Sequence, residues 1–318
     1  MTSKTLGICI AGEGAMGASH ARVLSSLPGV RLAAVVAGEA GAGRAFADKW
    51  RIPFHTLSFD EAIARPDVDA VVVATPSGMH ADHAAAAARA GKHVLIEIPV
   101  ALSLADSERL AQTQRDTGVT MMACHSRRFG PPHRHLRDRM RAGDFKLYHL
   151  VVETYFMRRT NLNMLGQPRS WVDNLLWHHA CHSVDLAAWL LGDADFASYA
   201  QAGPDHPELG IPMDMSIAMR SRRDGTLVTM ALSFNNEGPF GGFYRYIGEQ
   251  GTFHAWRDEL KDAQGNAVPL AGNAFELQDR EFVDAIAQGR TPECDIHSVV
   301  PSMRLLDALQ RSIDAQRR

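Results

Sequence analysis

A glycine-rich turn between a strand and a helix constrains this chain more than any other feature. The apolar run Leu6–Ala11 predicts a buried strand, a helix is predicted after it, and the turn between them reads Gly12-Glu13-Gly14-Ala15-Met16-Gly17. In such a GxGxxG pattern the first glycine makes the tight turn, the second lets the backbone approach a pyrophosphate, and the third lets helix and strand pack closely. The pattern therefore predicts a dinucleotide-binding turn, with contacts from Gly12, Gly14, Ala15, Met16 and Gly17.

The end of the second predicted strand bears on which dinucleotide binds. An acidic residue at this position grips the ribose diol and disfavours a 2′-phosphate. Here the strand ends in Val36-Ala37-Gly38, and the first acid, Glu39, lies slightly beyond it. The nearest candidate to bind a 2′-phosphate is Arg44, which is not directly adjacent. The residues alone therefore favour NADP and leave NAD open.

The order of predicted elements divides the chain into two domains. Up to about residue 125, apolar strands alternate with helices, which predicts an α/β Rossmann domain with a doubly wound parallel sheet. After Arg127, consecutive strand patterns joined by glycine-rich turns predict an α+β domain with a mostly antiparallel, open sheet. We expect a dinucleotide-binding domain over residues 1–125 and a substrate-binding and oligomerisation domain over residues 126–318, with the C-terminal helices able to pack back on the first domain. The strand patterns of the second domain lie at Lys146–Phe156, Met213–Arg220, Thr226–Asn235 and Phe243–Ile247.

Charge and composition argue against several classes of partner. The formal net charge of −3 offers no electrostatic attraction for nucleic acid or an anionic membrane surface. The N-terminus lacks the basic start and long apolar stretch of a signal peptide, and every apolar run is shorter than the roughly 18 residues that span a bilayer. The scattered cysteines show no CxxC spacing, which argues against a zinc site or a disulfide framework. We therefore expect a cytoplasmic protein that binds a small molecule and holds no metal.

Three further segments carry a family resemblance. They read Ala74-Thr75-Pro76-Ser77 followed by His80, Ala90-Gly91-Lys92-His93-Val94, and Glu97-Ile98-Pro99. Together they closely resemble the Gfo/Idh/MocA oxidoreductases, and the segment Ser126-Arg127-Arg128-Phe129 is similar to another family motif. The resemblance implies a dehydrogenase whose C-terminal open sheet forms a homodimer interface. It also implies cofactor contacts from Ala74, Thr75, Pro76, His80, Glu97, Pro99 and Arg128.

Two departures from the family pattern concern proton transfer. Ile98 occupies the position of the lysine that most members use near the reacting alcohol, and His178 occupies that of a frequent aspartate. Isoleucine cannot polarise or deprotonate a hydroxyl group. Either another residue performs the acid–base chemistry or catalysis has been lost.

A cluster of histidines is the alternative source of a base. His178 and His182 are four residues apart, so on an α-helix they face the same way and can converge on one substrate. The same spacing suits a metal, but no third ligand is evident, and core or capping roles also remain open. Catalysis is favoured because imidazole titrates near neutral pH and accepts a proton from an alcohol. Asp173 either orients an imidazole or caps the following helix.

The segment from Trp171 to His182 resembles one branch of the family in particular. That branch is NADP-linked and oxidises a small dicarboxylate semialdehyde in aromatic catabolism, in the protocatechuate 4,5-cleavage route. A dicarboxylate needs cations, which guanidinium groups supply best. The candidate substrate contacts are Arg127, Arg128, Arg169, Trp171, Trp177 and His179, although a core role is at least as plausible for each tryptophan.

Two other functions remain open from the sequence. One is a sugar or inositol dehydrogenase, the common activity of the family, against which the missing lysine and the clustered arginines argue. The other is a regulator that senses NADPH without chemistry. The histidines at positions 178, 179 and 182 argue against a sensor, and a measurement of turnover distinguishes a sensor from an enzyme.

Overall fold

The computed structural model describes residues 5–162, 166–169, 171–172 and 174–317, and the chain divides into two compact units. The first unit consists chiefly of Met1–Cys124 and Glu276–Val300. The second consists chiefly of His125–Asn163, Pro168–Phe275 and Pro301–Arg318. None of the helices in the described ranges is long and apolar enough to span a membrane.

A six-stranded parallel sheet forms the centre of the first unit. Its strands are β1 (Leu6–Ala11), β2 (Val30–Val36), β3 (His55–Thr56), β4 (Ala70–Val73), β5 (His93–Ile96) and β6 (Met121–Ala123). They are ordered β3-β2-β1-β4-β5-β6, with every neighbouring pair parallel. The order reverses between β1 and β4, which is where doubly wound sheets bind dinucleotides beyond the carboxyl ends of their strands. The predicted Rossmann architecture is confirmed.

Helices connect these strands because each crossover between parallel strands must pass over a face of the sheet. They are α1 (Ala15–Leu24), α2 (Ala40–Trp50), α3 (Phe59–Ile63), α4 (His80–Arg89) and α5 (Leu104–Thr117). Local sequence sets their ends. In α5, for example, the Ser103 side chain caps the N-terminus by accepting from the Asp106 amide, and Gly118 ends the helix in the left-handed conformation.

The second unit is built on a seven-stranded mixed sheet. Its strands are β7 (Leu147–Tyr155), β8 (Phe196–Ala202), β9 (Asp214–Ser221), β10 (Leu227–Ser233), β11 (Gly241–Gly248), β12 (Gly251–Trp256) and β13 (Glu259–Asp262). The order is β13-β12-β11-β7-β10-β9-β8, in which only the β7–β10 pair is parallel among these named strands. The prediction of a mostly antiparallel sheet is confirmed. The remaining helices are α6 (Pro131–Ala142), α7 (Cys181–Leu191), α8 (Ala274–Gln288) and α9 (Ile296–Gln316).

One face of the seven-stranded sheet is buried and the other is open. In β9 the side chains of Met215, Ile217 and Met219 are buried, and those that alternate with them are exposed. This two-residue alternation is typical of an antiparallel sheet with a core on one side only. Across the open face, Tyr199, Ala218 and Thr229 lie in register on neighbouring strands.

Candidate active site

The glycine turn of the first unit has the geometry that a dinucleotide needs. Gly12 has φ of +114°, and a Cβ there would lie 2.3 Å from the Ala74 carbonyl oxygen. A Cβ on Gly17 would lie 1.8 Å from the Gly12 carbonyl oxygen, so the fold requires glycine at both positions. A Cβ on Gly14 would meet nothing within 4 Å, and no side chain caps the helix that starts there. The turn therefore leaves space and free N–H groups for a pyrophosphate, and it fits the predicted cofactor.

Gly14→Ala should separate cofactor binding from folding. Because Gly14 has φ of −73° and open space around it, alanine should leave the thermal unfolding midpoint unchanged. The methyl group would occupy space left for the pyrophosphate, so we expect the dissociation constant of the dinucleotide, measured by calorimetry, to rise about tenfold or more. Gly17→Ala is the contrasting variant, which should lower the unfolding midpoint. Unchanged dinucleotide affinity in Gly14→Ala would mean that the turn does not bind the pyrophosphate.

The loops after β4 and β5 are joined by a buried histidine. His80 is 3% exposed, and its Nδ1 and Nε2 atoms lie 2.8 Å and 2.7 Å from the carbonyl oxygens of Pro99 and Thr75. The imidazole thus fixes the two loops that hold Ala74, Thr75, Pro76 and Pro99. Since these loops follow parallel strands at the carboxyl edge of the sheet, His80 supports the predicted cofactor site from within. At the start of α1, the Met16 side chain is exposed beside the glycine turn.

Glu97, another predicted cofactor residue, belongs to a buried charged cluster. Its Oε1 atom lies 3.0 Å from His20 Nε2, and the other ring nitrogen of His20 lies 2.9 Å from Asp279 Oδ2. The Cys124 sulfur lies 4.0 Å from His20 Nε2, so His20, Glu97 and Cys124 have the proximity of metal ligands. Each ring nitrogen of His20 lies within hydrogen-bond distance of a carboxylate, and a nitrogen that donates to a carboxylate has no lone pair to offer a metal.

In the second unit, the histidine segment begins as a π-helix rather than as the predicted α-helix. The π-helix spans Leu175–Ala180 and continues as α7, and the Asn174 side chain caps it by accepting from the amides of Leu176 and Trp177. The wider π turn alters the angle between positions four residues apart, so His178 and His182 have different neighbours. Single π turns inside helices occur frequently at functional sites.

The surroundings of His182 keep its imidazole neutral. Its Nδ1 atom is buried without a hydrogen-bond partner, although the residue as a whole keeps partial exposure. The His125 ring lies edge-on to it, with the ring centroids 6.0 Å apart. Burial, Arg127, His125 and His179 together lower the pKa of His182 well below its ordinary value, and they outweigh the opposing effect of Asp185. The imidazole is therefore neutral at pH 7 and can accept a proton.

Arg127 is the predicted substrate contact that the structure brings to His182. Its charge is among the causes of the lowered pKa of that histidine. The guanidinium carbon lies 5.8 Å from the ring centroid of the buried Tyr244, and its Nε atom is buried without a hydrogen-bond partner. A buried, unsatisfied guanidinium nitrogen is costly unless a ligand satisfies it.

Three other predicted residues form a separate stack. The Arg169 guanidinium lies 4.6 Å from the Trp171 ring centroid, and the Trp171 ring stacks on that of His178 at 5.2 Å. His178 Nδ1 also accepts a hydrogen bond from the Asn174 amide at 3.0 Å. His178 is thus held by contacts within its own segment, whereas His182 contacts His125.

The remaining predicted site residues have largely internal contacts. Trp177 is 7% exposed and donates to Gln310, which supports the core role that the sequence left open. His179 packs against Phe156 and Phe234, with ring centroids 5.0 Å away in each case. Asp173 lies outside the described residues.

Arg128 is paired within the second unit. Its Nε and NH2 atoms donate to Asp185 Oδ2 and Oδ1 at 2.7 Å and 2.6 Å, and Ser302 donates to the same carboxylate at 2.8 Å. His125 Nδ1 lies 3.6 Å from that carboxylate. The positive charge of Arg128 is thereby balanced within the protein, which makes Arg127 the better candidate to bind an anionic substrate.

His125 is a site residue that the sequence reasoning missed. It is 1% exposed and lies between Asp185 and His182 in this network of contacts. Its position was a usable signal, because it comes directly after the last strand of a parallel sheet, β6, where functional residues gather.

Comparisons with known proteins agree with this architecture. Residues 6–125 match the family model described as "Oxidoreductase family, NAD-binding Rossmann fold", and residues 131–274 match "Bacterial oxidoreductases, C-terminal". The 4-carboxy-2-hydroxymuconate-6-semialdehyde dehydrogenase of Sphingobium sp. strain SYK-6 is 42% identical over 314 residues, which cover 97% of this chain and 99% of that protein. Inositol 2-dehydrogenase 2 of Paenarthrobacter aurescens is 29% identical, over 89% of this chain and 88% of its own.

A solved structure supports the fold independently. The scyllo-inositol dehydrogenase of Lactobacillus casei, crystallised with NAD(H) and scyllo-inositol, superposes with a TM-score of 0.81 at 18% identity, over 98% of both chains. At this identity the likeness concerns the fold alone. The family models and the Sphingobium relative together confirm the resemblance seen in the sequence motifs. The chain belongs to the Gfo/Idh/MocA family of NAD(P)-dependent oxidoreductases, which act on CH–OH groups.

Proposed function

We propose that this protein oxidises the cyclic hemiacetal of 4-carboxy-2-hydroxymuconate-6-semialdehyde to 2-pyrone-4,6-dicarboxylate, with NADP as electron acceptor, in the cytoplasm. The reaction belongs to aromatic catabolism by protocatechuate 4,5-cleavage. The observation that carries the substrate assignment is the 42% identity, over nearly the full length of both chains, to the Sphingobium dehydrogenase of that name. The chemistry rests on the neutral imidazole of His182 in the second unit, whose Nδ1 atom is buried without a hydrogen-bond partner.

His182 is the proton acceptor in this reaction. The enol oxygen of the semialdehyde closes on its aldehyde carbon to give the hemiacetal, whose O–H proton passes to His182 at Nε2, since Nδ1 is buried. A nicotinamide cofactor held at the glycine turn of the first unit would supply the acceptor for the hydride that leaves the hemiacetal carbon. The bond between the hemiacetal carbon and its former hydroxyl oxygen then becomes the lactone carbonyl, and the bond to the ring oxygen stays single. The proton later leaves the imidazole for solvent, which restores the base.

The absence of a lysine at position 98 is consistent with this substrate. A hemiacetal hydroxyl is more acidic than an ordinary secondary alcohol of a sugar or inositol ring, so its deprotonation needs less assistance. Ile98 therefore removes a group that a sugar dehydrogenase requires and that the hemiacetal does not. Arg127 is the proposed partner of a substrate carboxylate, because its Nε atom is buried and unsatisfied.

The surroundings of β2 support NADP as the preferred cofactor. Both carboxylate oxygens of Glu39, the first acid after this strand, accept from its own helix, from the amides of Gly41 and Ala42 at 2.8 Å and 2.7 Å. Glu39 is thereby occupied and is a poor ligand for a ribose diol. The Glu13 carboxylate, however, accepts from the Gly38 amide at 3.0 Å and so brings a negative charge to the end of β2. We infer that Glu13 weakens the preference for NADP and keeps NAD usable.

Glu13→Gln should therefore increase the preference for NADP. Loss of one negative charge beside the ribose 2′ position removes repulsion of about 1 kcal/mol, which corresponds to about a fivefold rise in kcat/KM with NADP. The value with NAD should change less, because NAD carries no 2′-phosphate. Steady-state kinetics with both cofactors measures the ratio. An equal change with both cofactors would show that Glu13 does not discriminate between them.

We further propose that the protein is a homodimer that associates through the open face of the seven-stranded sheet. Tyr199 is 49% exposed on this face, and Phe243 and Trp256 stack on it with ring centroids 5.5 Å apart. Exposed aromatic residues on a flat sheet of small and polar side chains fit an interface between copies. Sedimentation equilibrium should give twice the chain mass, and a monomer at micromolar concentration would reject this interface.

A substrate panel tests the assignment against the other activities of the family. Purified protein with NADP should oxidise the semialdehyde with a kcat/KM at least about a hundredfold above that for myo-inositol or scyllo-inositol. The reverse order would make it a sugar dehydrogenase. Tight NADPH binding without turnover of any of these substrates would favour the sensor alternative.

A further inference from the structure

His20, Glu97 and Asp279 place a charged cluster inside the first unit that the proposed proton transfer does not use. His20 and Asp279 are completely buried, and Glu97 is 8% exposed. Burial of charged groups is costly unless opposite charges and hydrogen bonds within the protein replace their contacts with water. Here three separate elements contribute: His20 lies on α1, Glu97 follows β5, and Asp279 lies on α8.

The hydrogen bonds of the cluster define its charge. His20 Nδ1 lies 2.9 Å from Asp279 Oδ2 and Nε2 lies 3.0 Å from Glu97 Oε1, so each ring nitrogen faces an acceptor. A ring that donates from both nitrogens is an imidazolium. Burial lowers the pKa of His20, but Asp279 and Glu97 outweigh burial and raise it to about 10. Two carboxylates and one imidazolium leave the cluster with a net negative charge.

The cluster also fixes the position of Glu97. While Oε1 is held by His20, Oε2 accepts from the Ile98 amide at 3.0 Å. Glu97 comes directly after β5 (His93–Ile96), at the carboxyl edge of the parallel sheet. In doubly wound sheets one mononucleotide half of the cofactor is associated with the first strands and the other with the later ones, which here are β4–β6. Glu97 is thus placed on the nicotinamide half.

We propose that His20 is a positioning residue, which with Asp279 holds Glu97 in place so that its negative charge favours binding of the oxidised nicotinamide over the reduced one. The oxidised ring carries a positive charge and the reduced ring is neutral, so a fixed anion stabilises the first selectively. This preference assists oxidation of a substrate. The proposal depends on the family's use of NAD(P) and not on the semialdehyde assignment.

The experiment is a pair of binding titrations on the full-length protein, without substrate. The dissociation constants of NADP⁺ and NADPH are measured by calorimetry for the wild type, Glu97→Gln, His20→Gln and the double variant. Glu97→Gln keeps the side-chain size. It should weaken the binding of NADP⁺ about fivefold relative to that of NADPH, which the ratio of the two dissociation constants measures. His20→Gln should shift this ratio in the same direction, because the Glu97 carboxylate loses the partner that holds it in place.

Non-additivity and a charge control distinguish this role from a purely structural one. The double variant should show the shift of Glu97→Gln alone, since the effect of His20 is exerted through the Glu97 carboxylate. Asp116→Asn removes an acid that is exposed on α5 and should leave the ratio unchanged. If His20→Gln does not fold, Glu97→Gln alone decides the outcome. Equal losses of affinity for both cofactor forms in Glu97→Gln would overturn the proposal.

Discussion

Replacing His182 with alanine should lower kcat for oxidation of the semialdehyde by about a thousandfold, because general base catalysis contributes on the order of 10²–10⁴ in rate. Cofactor affinity, measured by calorimetry, should stay within about twofold, since the proposed role of His182 is to accept a proton from the substrate and not to bind the dinucleotide. His135→Ala, which removes a half-buried imidazole from α6 of the same unit, is the matched control and should retain nearly full kcat. Full activity of His182→Ala would assign the base to another residue.

The pH dependence of the wild type gives a second measure of the same base. The pKa of His182 is lowered, so its neutral and active form persists below the pH at which an ordinary histidine titrates, about 6.5. The acid limb of kcat/KM should therefore lie below that pH, and activity should be lost as pH falls through the lowered pKa. An acid limb centred above pH 6.5 would contradict the assigned environment.

Asp185→Asn should cause a large loss of stability in the second unit. The variant leaves the guanidinium of Arg128, which is 3% exposed, without its balancing charge. Breaking one side of a buried ion pair costs about 3–5 kcal/mol of unfolding free energy. Urea denaturation at pH 7 measures the change. Asp195→Asn is the matched control, because Asp195 and Arg222 form an exposed pair whose loss costs at most about 1 kcal/mol.

The contribution of Asp185 also depends on pH in a defined direction. Burial raises the pKa of this carboxyl, but Arg128 and His125 outweigh burial and lower it below its ordinary value. A carboxyl with a lowered pKa stabilises the fold above its unfolded pKa of about 3.9, and the stabilisation is lost as pH falls through the folded value. The difference in stability between wild type and Asp185→Asn should therefore be constant from pH 6 to 8 on this account and should shrink only in strong acid. A difference that shrank near neutral pH would contradict the ion pair.

The central parts of both sheets were predictable from the sequence, and the edges were less so. β1, β4 and β5 are apolar runs bounded by turn residues, because central parallel strands are buried on both faces. The strands that were missed are β3, β8 and β13, each at the edge of its sheet, and β12, which lies next to β13. Edge strands pair on one side only and are short or half-exposed, as the alternating burial of β8 illustrates, so their hydrophobic signal is weak.

In the site, features formed by neighbouring residues could be predicted from the sequence, and features formed by distant residues could not. The glycine turn could be read because its chemistry lies within six consecutive residues and its context is a strand and a helix. The pairing of His20 with Asp279 could not, since 259 positions separate the two residues. Nor did spacing predict the π-helix at Leu175–Ala180, because the residues of a π turn also fit an α-helical pattern. That turn is what separates the neighbours of His178 from those of His182.

The most direct test of the proposed function is to identify the products that form in one reaction mixture. Purified protein is mixed with NADP and enzymatically prepared 4-carboxy-2-hydroxymuconate-6-semialdehyde, nicotinamide reduction is followed in the near ultraviolet, and the products are separated. We predict that NADPH and 2-pyrone-4,6-dicarboxylate appear in equal amounts, with no open-chain acid preceding the lactone. No reduction of a cofactor that nevertheless binds tightly, or an open-chain acid as the first product, would contradict oxidation of the cyclic hemiacetal.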